Sequence, residues 1–392
     1  MNRKYVILAA MMLIVVISVS LFLTFNKPSK QTAARPFYVG VEYAYGGQFS
    51  EVKALVDRVK DYTNFFVIGI PSLTFNRTAL DLSCDYIYNS KLNFIVLITS
   101  FPMYNDSNGY PPNNSVFDWI GNATLKYGNQ FFGIYRFDEP GGNQIDNGPS
   151  RLISNPAGGY TEVASSYVGN LSAIINYYFS HSGAQRIFTS DYVLDWFDYK
   201  SNYSTVFAEL VGNETRHTMQ NRQQIISFGR GAAESFNKDW GVIVTWESTN
   251  PPYLENGTQL YSDLTLAYSA GATYAVVFSY PDITGYGTLT EEHFAALQKF
   301  WQTIHDNPGS ISQNKATVAY VLPKDYGFGF RFPTDSIWGL FPADNLSQKV
   351  SLDINTLLFR YYSNLNIIYD EPEIIGPTLK NYSKVYYWNQ TF

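Results

Sequence analysis

The chain has 392 residues, of which 45% are hydrophobic and 15% are charged, and its formal net charge is −6. This length exceeds that of one small domain, and this composition is typical of a folded globular protein rather than a disordered one. The acidic balance, with no run of Lys or Arg beyond the extreme N-terminus, argues against nucleic acid as a partner. Aromatic residues make up 17% of the chain, so we expect some of them at the surface.

The N-terminal segment contains an uninterrupted apolar run, Tyr5–Phe25. A helix of this length would cross a hydrocarbon core of about 30 Å, which predicts a single-pass anchor in the cell membrane over residues 1–26, followed by a linker over residues 27–36. The alternative is a cleaved signal peptide, for which Ala33 and Ala34 offer a small-residue cleavage site. Both interpretations place the main domains outside the cytoplasm.

Acceptor sites for N-glycosylation are frequent after this segment. Such a site is used only in a compartment that glycosylates proteins, so these sites favour a glycoprotein in an extracytoplasmic position. The alternative is that an Asn-rich sequence contains them by chance. The eleven sites begin at Asn76, Asn105, Asn113, Asn122, Asn170, Asn202, Asn213, Asn256, Asn345, Asn381 and Asn389.

Short apolar runs alternate with longer amphipathic stretches over residues 37–306. This alternation predicts β/α units and a parallel sheet, because parallel strands need crossover connections that are usually helical. Eight units in this length match a (β/α)8 barrel of the TIM type, and the main alternative is an open doubly wound sheet. The predicted strands begin at Phe37, Phe65, Leu92, Phe131, Arg186, Thr205, Trp240 and Thr273.

The pattern changes at residues 307–315, where turn-forming residues predict a linker. Strand-like and helix-like runs then resume and predict a small α/β domain over residues 316–392. A domain with three clear strands buries little surface alone. We therefore expect it to dock on the barrel or on a second copy of the chain, which would give a homo-oligomer.

Carboxylates recur where the predicted strands end, and the loops at that end of a barrel build its active site. Like charges that meet at one mouth raise one another's pKa, which is unfavourable unless the cluster has a function. The alternative for each residue is a structural role as a helix cap or as the partner of an Arg. The carboxylates concerned are Glu42, Asp138, Glu139, Asp191, Asp195, Glu209 and Glu247.

Two of these carboxylates, Glu139 and Glu247, lie in motifs that resemble those of the large clan of retaining (β/α)8 glycosidases. In that clan a general acid/base Glu follows strand 4, commonly as Asn-Glu-Pro, and a nucleophilic Glu ends strand 7. Here the first motif is Asp138-Glu139-Pro140, with Asp in place of Asn, and the second is Thr-Trp-Glu-Ser around Glu247. The resemblance implies a glycoside hydrolase in which Glu139 is the general acid/base and Glu247 is the nucleophile.

The same resemblance implies that Asp138 contacts a sugar hydroxyl and that the segment over residues 316–392 is flavodoxin-like. Aromatic rings near strand ends suit this chemistry, because the C–H face of a pyranose packs on a flat ring. The alternative for each ring is a place in the core of the barrel. The candidate sugar-binding aromatic residues are Tyr43, Tyr45, Trp196, Trp246 and Tyr280.

Other chemistries lack their sequence signatures. The four histidines show no metal-binding spacing, and the chain contains no phosphate-binding loop, dinucleotide-binding motif or Gly-x-Ser-x-Gly. We therefore expect a carbohydrate ligand, with no cofactor and no metal ion. Two alternatives to a hydrolase stay open: a non-catalytic glycan-binding or cell-envelope surface protein on the same barrel, and a transglycosidase that shares the site.

Overall fold

The computed structural model describes residues 36–99, 113–156, 158–211, 219–247, 250–251 and 253–391. Within these ranges, no helix combines the length and the apolar character that a membrane crossing requires. The predicted anchor over Tyr5–Phe25 lies outside the described residues.

Eight parallel strands form a closed barrel in the order in which they occur in the chain. They are β1 (Tyr38–Tyr43), β2 (Phe65–Ile68), β3 (Asn93–Leu97), β4 (Phe131–Asp138), β5 (Ile187–Asp191), β6 (Thr205–Leu210), β7 (Asp239–Val244) and β8 (Tyr274–Val277). Because β1 pairs with both β2 and β8, the sheet is closed, which excludes the open doubly wound alternative. The predicted (β/α)8 barrel is therefore confirmed.

The barrel interior is filled by large apolar side chains from alternate strand positions. Phe65, Ile95 and Phe207 belong to this interior cluster, and they lie on β2, β3 and β6. Strands that are buried on both faces need such β-branched and aromatic residues, which explains the short apolar runs in the sequence. The filling makes the barrel a packed core and leaves its mouth as the place for a pocket.

Helices connect the strands and cover the outside of the barrel. They are α1 (Phe49–Val59), α2 (Pro71–Thr74), α3 (Arg77–Asn89), α4 (Asn113–Tyr127), α5 (Pro140–Ile145), α6 (Tyr160–Ser182), α7 (Asp195–Lys200), α8 (Met219–Phe236), α9 (Gly257–Ser269) and α10 (Glu291–Asp306). Polar caps begin some of them. The Asn76 side chain accepts a hydrogen bond from Ala79 N at the start of α3, and Asn256 caps α9 in the same way.

Three further strands, β9 (Val318–Leu322), β10 (Leu365–Tyr369) and β11 (Lys384–Tyr387), form a parallel sheet with β9 in the middle. They are connected by α11 (Asn345–Tyr361) and α12 (Pro372–Leu379). A small second sheet thus follows the barrel, in the part of the chain where the sequence predicts an α/β unit. Its likeness to flavodoxins and the domain boundary at residues 307–315 stay predictions.

The second sheet packs directly on α8. Arg230 Nε donates a hydrogen bond to Asn366 Oδ1 at 2.7 Å, across the contact between this helix and β10. Gly231 permits the close approach, because a β-carbon at this position would lie 2.5 Å from the carbonyl oxygen of Ile367. Residues Phe37–Phe392 consequently form one compact unit.

Candidate active site

A pocket of about 230 Å³ lies at the C-terminal end of the barrel strands. This end is where (β/α)8 barrels build their active sites. The pocket combines four acidic side chains with an aromatic wall. Its described lining consists of Glu42, Asp138, Glu139, Glu209, Val211, Ile243, Thr245, Trp246, Phe278 and Tyr280.

Strand alternation explains why Glu42 and Glu209 face the pocket. Successive side chains of a strand point to opposite faces, and directly paired residues of neighbouring strands point to the same face. Glu42 pairs with Val67, and Glu209 pairs with Ile243, and both partners belong to the interior cluster. The two Glu side chains therefore lie inside the barrel, at the mouth end of its apolar filling.

The end of β4 departs from regular alternation and brings two consecutive acidic residues to the mouth. The pairing between β4 and β5 is irregular between Tyr135 and Asp138. Phe137 and Glu139 both adopt left-handed backbone conformations, with φ values of 56° and 49°. Such conformations are unfavourable for residues with a β-carbon and cluster at functional sites. This irregularity lets both Asp138 and Glu139 line the pocket.

A network of hydrogen bonds joins the acidic residues beneath the pocket. The Ser190 hydroxyl can donate to Glu209 Oε1 at 2.7 Å or to Asp138 Oδ1 at 3.1 Å. The Tyr135 hydroxyl donates to the same Asp138 oxygen at 2.5 Å. The carboxyl groups of Glu139 and Glu209 lie within hydrogen-bonding reach of each other. The ends of three strands, β4, β5 and β6, thus share one connected polar site.

Burial and crowding raise the pKa values of these carboxyl groups. Burial, and then the charge of Asp138, raise the pKa of Glu42 well above its usual range. Burial, and then the charge and hydrogen bond of Glu139, do the same to the pKa of Glu209. The pKa of Asp138 is raised by its depth in the mouth and then by Glu139, although part of its surface is open to the pocket. These groups therefore keep protons at a pH at which an exposed carboxyl group would be ionised.

Glu139 and Glu209 form a carboxyl pair. Two carboxylates have no proton to donate, so a hydrogen bond between them requires a proton on one of them. A pair with one protonated and one ionised member provides a proton donor and a base or nucleophile in the same site. Within the described ranges, no group of His, Cys, Asp and Glu side chains could hold a metal ion.

Aromatic rings form one wall of the pocket. Trp246 and Tyr280 stack with their ring centroids 5.9 Å apart and their planes 21° apart. Trp246 Nε1 donates to the Tyr280 carbonyl oxygen at 2.6 Å, which fixes the orientation of the indole. Tyr280 is 46% exposed. Open flat rings beside carboxyl groups match the two faces of a sugar, which has apolar C–H surfaces and polar hydroxyl edges.

The structure brings some of the predicted site residues together and places others elsewhere. Those at the pocket come from five different strand ends, which the barrel closure makes neighbours. They are Glu42, Asp138, Glu139, Glu209, Trp246 and Tyr280.

Tyr43 and Tyr45 do not line this pocket. Tyr43 is the strand neighbour of Glu42 and therefore points to the outer face of β1, where its hydroxyl donates to Glu51 Oε2 at 2.6 Å. The Tyr43 hydroxyl also accepts a hydrogen bond from Gly47 N at 2.6 Å. Tyr45 packs on its ring with the centroids 4.7 Å apart, and both are buried. These rings support the loop before α1.

Asp191, Asp195 and Trp196 also lie outside the pocket lining. Asp191 follows the inward-facing Ser190 and points to the outer face of β5. Asp195 and Trp196 belong to α7 and are buried behind the barrel wall. Trp196 Nε1 donates to Glu371 Oε1 at 3.1 Å, which ties α7 to the second sheet rather than to a ligand.

Glu247 lies three residues beyond the end of β7, and its backbone N–H donates to the Tyr253 carbonyl oxygen at 2.7 Å. It is not among the described residues that line the pocket, whereas Thr245 is. The assignment of Glu247 as nucleophile stays a prediction.

Sequence reasoning missed Ser190 and Tyr135, the two hydroxyl groups that bind the carboxyl cluster. Both occupy inward positions, since Ser190 pairs with Asp138 and Tyr135 belongs to the interior cluster. Strict alternation from Phe188 would have identified Ser190 as the inward residue of β5. The irregular end of β4 gives no comparable signal in the sequence.

Comparisons with known proteins give the fold a context. No family model matches the sequence, and no curated protein matches it. Among solved structures, the chain is similar to GH5_18 from Streptomyces cattleya in complex with GlcNAc, with a TM-score of 0.58 and 11% identity over 91% of this chain and 99% of that chain. It is also similar to the β-galactosidase from Bacillus circulans sp. alkalophilus, with a TM-score of 0.56 and 11% identity over 91% of this chain and 67% of that chain.

A third similar structure is the β-galactosidase from the psychrophilic Marinomonas ef1, with a TM-score of 0.55 and 11% identity over 90% of this chain and 72% of that chain. These three solved structures are glycoside hydrolases. At this level of identity, the likeness shows a shared fold.

Proposed function

We propose that this protein is a glycoside hydrolase that uses Glu139 and Glu209 as its two catalytic carboxyl groups. The observation that carries the proposal is that the carboxyl groups of Glu139 and Glu209 lie within hydrogen-bonding reach of each other at a pocket with an aromatic wall. The fold, shared with solved glycoside hydrolases, supports it.

In this proposal Glu139 is the general acid/base and Glu209 is the nucleophile. Glu139 is half-buried and follows β4, so it can protonate the departing glycosidic oxygen and later deprotonate a water molecule. Glu209 is buried deeper, and the Ser190 hydroxyl orients one of its oxygens. When the proton of the pair is on Glu139, Glu209 is a carboxylate and attacks the anomeric carbon while Glu139 protonates the departing oxygen. Water, deprotonated by Glu139, then cleaves the glycosyl ester, which restores the Glu209 carboxylate and the proton on Glu139.

The separation of the two groups favours retention of anomeric configuration. Inverting enzymes hold their carboxyl groups about 6.5 to 9.5 Å apart, which leaves room for the attacking water. Retaining enzymes hold theirs about 5 to 5.5 Å apart. Carboxyl groups within hydrogen-bonding reach of each other are closer to this spacing than to that of inverting enzymes. Glu247, predicted from the sequence as nucleophile, is the competing assignment, and the residue that is labelled when the glycosyl–enzyme intermediate is trapped distinguishes the two.

A non-catalytic glycan-binding protein is the second candidate. The observation that favours it is Thr245, because this pocket-lining residue at the end of β7 has no carboxyl group. Such a protein would keep the aromatic wall and bind sugars without cleaving them.

We also propose an extracytoplasmic, membrane-anchored location, which is supported by the apolar run Tyr5–Phe25 and by the frequent N-glycosylation sites.

The test is a screen of the purified chain against aryl glycosides and neutral polysaccharides. We expect hydrolysis by the wild type and a loss of about 100-fold or more in kcat for E139Q, because general acid catalysis contributes about 10² to 10⁴. With a leaving group that needs no protonation, E139Q should lose much less. Binding of glycans without any cleavage would favour the second candidate, and full activity of a folded E139Q would contradict the proposal.

A further inference from the structure

Asp191 lies outside the pocket but contacts the loop that carries Glu139. Its Oδ2 accepts a hydrogen bond from Gly141 N at 2.7 Å, and its Oδ1 accepts one from Gly142 N at 2.9 Å. Oδ1 also accepts a hydrogen bond from Tyr192 N at 2.6 Å. The side chain is completely buried. A buried carboxylate with several backbone donors forms strong, charge-assisted hydrogen bonds and therefore holds those donors firmly.

The held segment begins directly after the strained residue. Glu139 precedes α5 with φ 49° and ψ 60°, and Gly141 and Gly142 are the second and third residues of that helix. Gly141 is needed for the contact, because a β-carbon there would lie 2.4 Å from Asp191 Oδ2 and 2.5 Å from the β-carbon of Leu194. The strained backbone of Glu139 is thus followed within two residues by a tight attachment to β5.

Asp198 supports the ionised form of Asp191. Burial, and then the charge of Asp191, raise the pKa of Asp198 well above its usual range. The two carboxyl groups lie within hydrogen-bonding reach, so Asp198 keeps its proton and donates it to Asp191. The Tyr167 hydroxyl in turn donates to Asp198 Oδ1 at 3.2 Å. Asp191 is thereby left as the acceptor for the loop.

We propose that Asp191 is a positioning residue for the hydrolytic reaction: by holding Gly141 and Gly142, it keeps Glu139 in the left-handed conformation that directs its carboxyl group towards Glu209. The inference rests on the proposed function of Glu139. A strained conformation persists only where its surroundings enforce it, and Asp191 supplies that enforcement from outside the pocket. Without the attachment, Glu139 relaxes to an ordinary conformation, and its carboxyl group leaves the pair.

The test compares D191N with the matched control D195N. Asp195 is equally buried and four residues away, but its side-chain oxygens accept no hydrogen bond from another described residue, the loop residues Gly141 and Gly142 included. In D191N the side-chain NH₂ cannot accept a hydrogen bond from a backbone N–H, so part of the contact with the loop is lost. We expect kcat to fall about 100-fold with KM nearly unchanged, as for a catalytic group displaced by about 1 Å. The loss should be much smaller with a leaving group that needs no protonation. D195N should keep wild-type kinetics.

Amide hydrogen exchange gives a readout that needs no activity. Loss of a hydrogen bond to a charged group should make exchange at Gly141 and Gly142 about tenfold faster or more in D191N, and leave it unchanged in D195N. Unchanged exchange and unchanged kcat in D191N would overturn the inference. An equal loss of kcat with every leaving group, together with a lower Tm, would show a merely structural role and overturn it as well.

The two hypotheses fail in different ways. If the wild type hydrolyses no glycoside, the proposed function fails and the positioning role for catalysis fails with it, while the exchange data still decide whether Asp191 holds the loop. If D191N does not fold, G141A breaks the same contact from the side of the loop. We expect the same selective loss of kcat in G141A, and wild-type kinetics in that variant would overturn the inference.

Discussion

Ser190 is the residue through which β5 contacts both acidic neighbours, Asp138 and Glu209. A hydrogen bond to a charged group contributes about 1.5 to 3 kcal/mol. If Glu209 becomes ionised during turnover, S190A should therefore lower kcat about tenfold or more, with KM changed little. Steady-state kinetics on an aryl glycoside measures this.

The matched control is S227A. Ser227 is equally buried, but its hydroxyl donates to the Gln223 carbonyl oxygen within α8, away from the mouth. We expect S227A to keep the wild-type kcat. A kcat for S190A that equals that of S227A would mean that Ser190 only fills space beneath the pocket.

Individual site residues could be predicted from the sequence where strand alternation alone decides which face of the sheet the side chain lies on. Glu42 and Glu209 end apolar runs and do face the pocket. Asp191 also ends such a run, but a shift of one residue reverses the face of a strand, so it points outwards. For Glu247 the sequence placed the end of strand 7 too late, since β7 ends at Val244. The exact end of a strand depends on pairing with its neighbours, which the sequence alone does not contain.

At the scale of elements, the attachment of the second sheet to α8 depends on one close approach. A β-carbon at position 231 would lie 2.5 Å from the Ile367 carbonyl oxygen. G231A therefore forces α8 and β10 apart, and overpacking of this kind costs about 1 to 3 kcal/mol. Thermal or urea unfolding should show this loss as a lower free energy of unfolding.

Gly169 provides the control because it also lies within a helix, α6, but a β-carbon there would meet no atom within 4 Å. G169A should leave the free energy of unfolding unchanged or raise it by up to about 1 kcal/mol, since Ala favours helices over Gly. If G231A were as stable as G169A, the contact between α8 and β10 would not be as tight as described.

The elements themselves were predictable from local patterns. All eight barrel strands coincide with the apolar runs, because a strand buried on both faces must be a continuous run of apolar residues. The three later strands were also predicted from short apolar runs, although β11 is a partly exposed edge strand. The left-handed residues Phe137 and Glu139 were not, because their conformation is imposed by contacts with β5 and its loop rather than by local preference.

At the scale of the whole molecule, the buried acids predict how stability varies with pH. Burial is the main cause that raises the pKa of Asp191 to about 6, and burial also raises those of Glu42 and Glu209 well above their usual range. In the unfolded chain these groups ionise near pH 4. From about pH 4 up to the raised values, the folded state binds more protons, so the free energy of unfolding falls as pH rises, by at most about 1.4 kcal/mol per pH unit for each group.

We therefore expect a higher Tm near pH 5 than near pH 7.5, at constant ionic strength. E209Q removes one of these groups and should flatten the dependence, whereas D61N, at an exposed position on the loop after α1, should not. A Tm that is constant or rises between the two pH values would show that the buried carboxyl groups are ionised in the folded protein.

The most direct test of the central claim is to trap and locate the glycosyl–enzyme intermediate. A 2-deoxy-2-fluoro glycoside with a good leaving group slows hydrolysis of the intermediate, and digestion with mass spectrometry then identifies the modified carboxylate. We expect a label on Glu209, and no label in E209Q. A label on Glu247 would restore the nucleophile predicted from the sequence, and turnover of the parent glycoside without any trapped intermediate, with inversion at the anomeric carbon, would contradict the proposed mechanism.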